Sequence, residues 1–169
     1  PGEPRLRTTW DDNDDPVLHY RRAKGGDWIP LPKSIAGRTL YGARFADDNN
    51  TVYALVTDQL EPAQAYRIDL NAAKRTKLAG DPDVAVSNFL YEGLGGIPFA
   101  VTFDAAKPTI QYIDPGSEWA KLHAGLMQAF PGEMLWFDTF SRDGNKVLFT
   151  VHSDRDIGSY YLYDRAAKK

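Results

Sequence analysis

Apolar and polar residues alternate along this chain in short runs of five to seven, broken by clusters of Asp, Asn and Gly. Thr39–Phe45 alternates and runs into the turn Asp47-Asp48-Asn49-Asn50. Val52–Thr57 follows as a second apolar run, Asp58–Pro62 as a polar loop, Ala65–Leu70 as a third run, and Arg75–Leu78 as a short fourth after the turn Asn71–Lys74. β-Branched and aromatic runs punctuated in this way predict antiparallel strands joined by hairpins. The same wording returns ninety-five residues later. Phe45-Ala46-Asp47-Asp48-Asn49-Asn50-Thr51-Val52-Tyr53 reappears as Phe140-Ser141-Arg142-Asp143-Gly144-Asn145-Lys146-Val147-Leu148, and the match runs without a gap through Val56/Val151, Tyr66/Tyr161 and Asp69/Asp164 to Lys74/Lys169.

A repeat of four short antiparallel strands in roughly 45 residues predicts a blade of a β-propeller. Thr8–Leu31 reads as the back part of one unit, with Asp11–Pro16 as loop, Val17–Arg21 as third strand and Trp28–Leu31 as fourth. A further unit begins near Val84, where Phe99–Phe103 matches Ala54–Asp58 and Tyr112-Ile113-Asp114 matches Arg67-Ile68-Asp69. The expected fold is therefore mainly all-β: a single partial propeller over residues 1–169, about three and a half four-stranded blades in segments near 1–33, 38–79, 84–132 and 134–169. The last unit ends after its third strand, so the repeat is expected to continue past Lys169. Ser117–Phe130 departs from the pattern. Trp119, Leu122, Leu126 and Phe130 fall at helical spacing, with Ser117 as N-cap and Pro131-Gly132 as the stop. This predicts one amphipathic helix, in place of a blade's final strand or beside it.

Composition narrows the function. Of the 169 residues 43% are hydrophobic and 25% charged, as in a folded soluble protein, and the formal net charge of −3 argues against a nucleic-acid partner. No apolar run approaches a membrane span. There is no cysteine, hence no disulfide, thiolate nucleophile or thiolate-held metal. That absence fits a bacterial cytoplasm or periplasm equally. The twelve per cent aromatics and eleven prolines suit a β-rich chain with many turns.

The candidate chemistry reads as structural. No serine among Ser34, Ser87, Ser117, Ser141, Ser153 and Ser159 stands in a Gly-x-Ser-x-Gly elbow. His19 alternates within a strand, His123 sits on the flank of the predicted helix, and His152 closes a strand. Asp11-Asp12-Asn13-Asp14-Asp15 resembles a calcium loop, but Pro16 and Arg22 stand where an EF-hand needs Gly and Glu. It occupies the same loop of the unit as Asp58–Pro62 and Asp154–Gly158, where short acidic residues cap turns. Gly93-Leu94-Gly95-Gly96 lacks the Lys-Ser/Thr of a phosphate cradle, and Trp10-Asp11 lacks the Gly-His of a Trp-Asp repeat. No catalytic, cofactor-binding or metal-binding residue, and no cofactor, is assigned.

One stretch carries a resemblance. His152-Ser153-Asp154-Arg155-Asp156-Ile157-Gly158-Ser159-Tyr160-Tyr161-Leu162-Tyr163-Asp164-Arg165 resembles the Ser-Asp-x-Asp-x-Gly-x-Tyr-Tyr-Leu-Tyr-Asp segment in propeller domains of bacterial serine peptidases of the prolyl oligopeptidase family, of the dipeptidyl aminopeptidase and acylaminoacyl-peptidase kind. Trp10–Arg21 looks like an earlier blade of that domain. Asp104 to Pro115, followed by a helix with Trp119 and a Pro-Gly exit, fits it too. The resemblance implies a non-catalytic propeller that gates the access of short peptides to an α/β-hydrolase domain, with that domain and a peptide substrate as partners. The serine elbow, Asp and His of the hydrolase are not in this chain, so no catalytic residue is carried over. The paired glutamates with which some members hold a peptide's amino end are also missing: Glu3, Glu61, Glu92, Glu118 and Glu133 stand alone. The competing expectation is a self-standing propeller-type module for protein binding. A reading frame running on into a Gly-x-Ser-x-Gly region separates the two. Either way, open blade edges are expected to favour self-association.

Overall fold

In a computed structural model, which describes residues 3–93 and 96–169, the chain is mainly β, built from four antiparallel sheets of three or four strands and one long helix. The first sheet is β1 (Leu6–Trp10), β2 (Pro16–Tyr20) and β3 (Ile29–Pro30). The second is β4 (Thr39–Phe45), β5 (Thr51–Thr57), β6 (Gln64–Asp69) and β7 (Lys74–Ala79). β8 (Val86–Tyr91), β9 (Pro98–Phe103) and β10 (Thr109–Tyr112) form the third. The fourth is β11 (Met134–Phe140), β12 (Lys146–His152) and β13 (Ser159–Asp164). Helix α1 (Lys33–Ala36) precedes β4, and α2 (Glu118–Ala129) follows β10. The strands divide into two compact units, Pro1–Val86 and Ser87–Lys169.

In the first unit β5 is buried on both faces, from Thr51 to Val56. Val52, Ala54 and Val56 on one side meet Tyr20 and Leu31 of the first sheet region and Ile35 and Ala36 of α1. Removing the valine, leucine and isoleucine side chains among them from water stabilises by about 1.5–3 kcal/mol each. Polar ties fix the seam: the Tyr20 hydroxyl donates to the Leu70 carbonyl at 3.2 Å, and Arg75 donates to both oxygens of Asp58 at 3.1 and 2.5 Å while its guanidinium lies 4.7 Å from the Tyr66 ring centre.

The repeat read in the sequence is a repeat of geometry. β11, β12 and β13 are β4, β5 and β6 displaced by ninety-five residues, end for end. Thr39 pairs with Thr57 as Met134 pairs with His152, and Thr51 pairs with Asp69 as Lys146 pairs with Asp164. The bulge between Tyr41 and Arg44 recurs between Phe137 and Thr139. The turns agree as well: Asn49 and Gly144 share positive φ (55° and 68°), as do Ala73 and Lys168 (47° and 52°). Asp69 accepts the Ala72 N–H as Asp164 accepts the Ala167 N–H, each at 2.9 Å.

The predicted helix is present, with Ser117 as its N-cap accepting from the Ala120 N–H at 3.2 Å. It stands after β10 where β7 stands after β6, so the third sheet has three strands. Its buried centre is Ala120 and His123, with Trp119, Leu126, Met127 and Phe130 around it. His123 thus lies in the core rather than on a flank, because both of its ring nitrogens find partners there.

Candidate functional site

Among the described residues, most of those that the sequence singled out for chemistry are engaged in building a turn, a cap or the core. The Ser87 Oγ accepts the Asp104 N–H at 2.8 Å, the Ser141 Oγ donates to Asp143 at 2.5 Å and accepts from the Lys146 N–H at 2.8 Å, and the Ser153 Oγ accepts from the Arg155 N–H at 3.3 Å. Ser34 lies in α1 and Ser159 opens β13. His19 sits 3.1 Å from the Val17 carbonyl oxygen and 3.5 Å from the Thr9 hydroxyl. The His152 ring stacks on Trp136 at 6.3 Å.

His123 is fully buried. Its Nε2 lies 3.0 Å from the Leu135 carbonyl oxygen and its Nδ1 2.9 Å from the Tyr112 hydroxyl, inside a cage of Phe99, Tyr112 and Phe137 with ring centres 5.2–5.8 Å away. Burial holds this imidazole below the ordinary histidine range, and burial also raises the Tyr112 phenol. A histidine sealed in this way holds the helix against β9, β10 and β11 and meets no solvent-borne substrate.

The acidic loop Asp11–Asp15 is a turn. The Asp11 carboxylate accepts the N–H groups of Asn13 and Asp15 at 2.9 and 3.0 Å, and those bonds hold its pKa down. Asp15 pairs with Lys33 at 3.0 Å. The same chemistry holds Asp48, bonded by the N–H groups of Thr51 and Asn50, below the usual carboxylate range. Among the described residues no group of three or more His, Asp or Glu is placed to hold a metal ion. No described helix is long and apolar enough to cross a membrane. Of the glycine-rich segment, Leu94 and Gly95 lie outside the described residues.

What the first unit does present is a cleft of about 1070 Å³ between the β1–β2 loop, α1 and the β5–β6 loop. Trp10, 68% exposed, stands on one wall with Asp14 and Asp15, while Lys33, Arg38, Gln59 and Glu61 line the rest. Two of its cations are partly engaged, Lys33 in an ion pair with Asp15 and Arg38 in a hydrogen bond to the Gln59 carbonyl at 3.4 Å. The cleft holds neither a serine nor a histidine. Among the five glutamates, Glu3 pairs with Arg21 and Lys24, Glu118 pairs with Arg165, and burial raises the pKa of Glu92. Sequence reasoning placed the loops of this cleft and missed α1 and Trp10 as walls of it, since a four-residue helix leaves no periodic signal. No protein-family model matches the chain, and no curated protein matches it either.

Proposed function

We propose that the chain is part of a β-propeller and serves as the non-catalytic propeller of a serine peptidase of the prolyl oligopeptidase family, screening an α/β-hydrolase domain so that only short peptides reach it. The observation that carries the reading is the geometric repeat: β4–β6 and β11–β13, two units apart in the chain, agree in bounds, register, bulge and turn bonds, as blades of one type do. The segment that resembles the peptidase propellers, His152–Arg165, spans the end of β12, the β12–β13 loop and β13 of that repeat. The engaged serines and the sealed His123 suit a wall better than a reaction centre. Screening by such a wall works by exclusion: blades around a narrow passage keep folded proteins from a nucleophile beyond it.

The test is labelling with a serine-reactive fluorophosphonate. The 169-residue chain is expected to stay unlabelled and to leave aminoacyl chromogenic substrates intact, while the parent protein is labelled at a serine outside these residues. A labelled serine within the chain overturns the proposal. A parent with no reactive serine overturns it too, and favours a binding module.

A further inference from the structure

The tryptophans of this chain differ in what lies against their rings. Arg7 and Arg21 hold their guanidinium groups 4.6 and 4.9 Å from the Trp28 ring centre, Arg165 lies 4.5 Å from that of Trp119, and His152 stacks on Trp136. The Trp10 side chain has no ring, cation or hydrogen-bond partner among the described residues, and it is 68% exposed. Leu6, Thr8 and Trp10 alternate onto one face of β1, and Leu6 packs there against the core of Ile35 and Val52. The Trp10 ring therefore stands off the face of the first sheet, over the cleft, and not in the strand edge. Beside it a narrower, mainly apolar slot of about 210 Å³ runs between Thr8 and Leu18 of the first sheet and Leu31, Ala36 and Leu40, sharing Trp10 and Arg38 with the cleft. The charges of the cleft are unequally satisfied. Lys33 balances Asp15 and Arg75 balances Asp58, while the side chains of Asp14 and Glu61, one on each loop of the cleft, make no bond among the described residues. Against those two acids stands Arg38 alone, so the lining favours a cation, as does the net charge of −3.

We propose that this cleft binds an arginine side chain presented by an extended peptide segment, with the guanidinium over the Trp10 ring and paired by Asp14 and Glu61. An apolar side chain two residues from the arginine enters the slot, because residues i and i+2 of an extended chain share a face. Arginine fits better than lysine, since its flat guanidinium both stacks on a ring and bonds a carboxylate through two N–H groups. The chain repeats this pairing within itself, Arg5 over Phe45 and Arg75 over Tyr66 besides the tryptophans above. Every residue of the cleft belongs to the first unit, so the proposal depends on neither the propeller nor the peptidase reading.

The experiment titrates the chain with acetyl-Leu-Ala-Arg-Ala-Leu-amide and follows the indole N–H signals by NMR. The Trp10 signal is expected to move with a Kd on the order of 0.1–1 mM, while that of Trp28 stays in place. The same peptide with citrulline for arginine keeps the shape without the charge, and it is expected to bind at least about fivefold more weakly. Trp10→Ala, at an exposed position where folding is not at risk, should weaken the arginine peptide about tenfold, read by calorimetry. Glu61→Gln should weaken it by a smaller factor and reduce the salt dependence of binding. No movement of the Trp10 signal at about 10 mM peptide, well above that range, overturns the proposal. Equal binding of the citrulline peptide overturns it, and so does binding of neutral maltotriose at Trp10 in place of the peptide. A Trp10 signal that shifts on dilution of the chain alone overturns it too, because a second copy then fills the cleft. The peptide has no free amino end and binds or fails to bind whatever the fluorophosphonate does to the parent, so the two readings fail separately.

Discussion

The Tyr112 hydroxyl donates to Nδ1 of His123 at 2.9 Å, and the opposite nitrogen of the ring, Nε2, donates to the Leu135 carbonyl at 3.0 Å. A carbonyl only accepts, so a proton sits on Nε2, and burial keeps the ring neutral, which leaves Nδ1 to accept from the tyrosine. One imidazole thus joins α2 to β10 and β11 with no charge in the core. Tyr112→Phe leaves Nδ1 buried without a donor, and the expected loss is about 1–3 kcal/mol in urea unfolding. A loss under about 0.5 kcal/mol would mean that the bond contributes nothing net.

The same histidine fixes a direction for pH dependence. Its pKa in the folded chain is lowered from the ordinary 6.5, chiefly by burial. Below 6.5 the unfolded chain takes up a proton that the folded chain refuses, so the stability tied to His123 is present above 6.5 and lost as pH falls toward the lowered folded value. Comparing the wild type with His123→Phe isolates this from His19 and His152. The difference in unfolding free energy between the two is expected to narrow or reverse from pH 7 to pH 5. A difference that is flat over that range contradicts the assignment.

Asp143 predicts a second loss of stability on acidification, at lower pH. The Ser141 hydroxyl, then the Asn145 backbone N–H and side-chain amide, hold its carboxylate down to a pKa of about 2. A lowered carboxylate contributes stability above its ordinary value of 3.8 and loses it as pH falls through about 2. Asp143→Asn is therefore expected to flatten the dependence of Tm on pH between 4 and 2. Ser141 stands where Asp48's turn has Ala46, so Ser141→Ala should raise the Asp143 midpoint in a carboxyl NMR titration. No movement on that change would show that the hydroxyl is not the main cause.

Much of this architecture is written in local sequence and some of it is not. The strands of 39–79 and 134–164 were legible because their turn residues recur at fixed places, Asp48 with Asp143 and Asp69 with Asp164, and each forms the side-chain-to-backbone bonds that its type favours. The acidic loops were legible as turns for the same reason. The core position of His123 was not, because helical periodicity points to apolar residues and the two groups that make the site acceptable for a polar ring, Tyr112 and Leu135, are distant in sequence. α1 escaped as well: four residues after Pro32 carry no period, and its place is fixed by Ile35 and Ala36 entering the core. The cleft beside Trp10 depends on that same short helix.

Gly37 ends α1 with its N–H bonded to the Lys33 carbonyl and with φ at 65°. A Cβ there would fall 2.5 Å from Val56 Cγ1 and 2.6 Å from the Thr57 carbonyl oxygen. Neither can retreat, since Val56 is in the core and the Thr57 carbonyl accepts the Arg38 N–H at 2.8 Å. Gly37→Ala combines left-handed strain with overpacking, each worth about 1–3 kcal/mol, so a loss of roughly 2–6 kcal/mol is expected in denaturant unfolding. A loss below about 1 kcal/mol would show that α1 is free to shift away from β5.

Gly144 has the same kind of backbone with none of the crowding. Its φ is 68°, and a Cβ would meet only the Arg165 guanidinium, at 3.7 Å. The equivalent turn of the second sheet places Asn49 there, at φ 55°, and asparagine tolerates the left-handed region where a β-branched residue does not. If the two turns are one structure, the residue of one should serve in the other. Gly144→Asn is expected to change stability by no more than about 0.5 kcal/mol, and Gly144→Val to cost about 1–2 kcal/mol. The bond from Arg165 to the Gly144 carbonyl, at 2.9 Å, survives either change, so the difference reads the backbone alone. Equal losses for Asn and Val would mean that the two turns, though matched in register, do not share the conformational requirement that makes them copies.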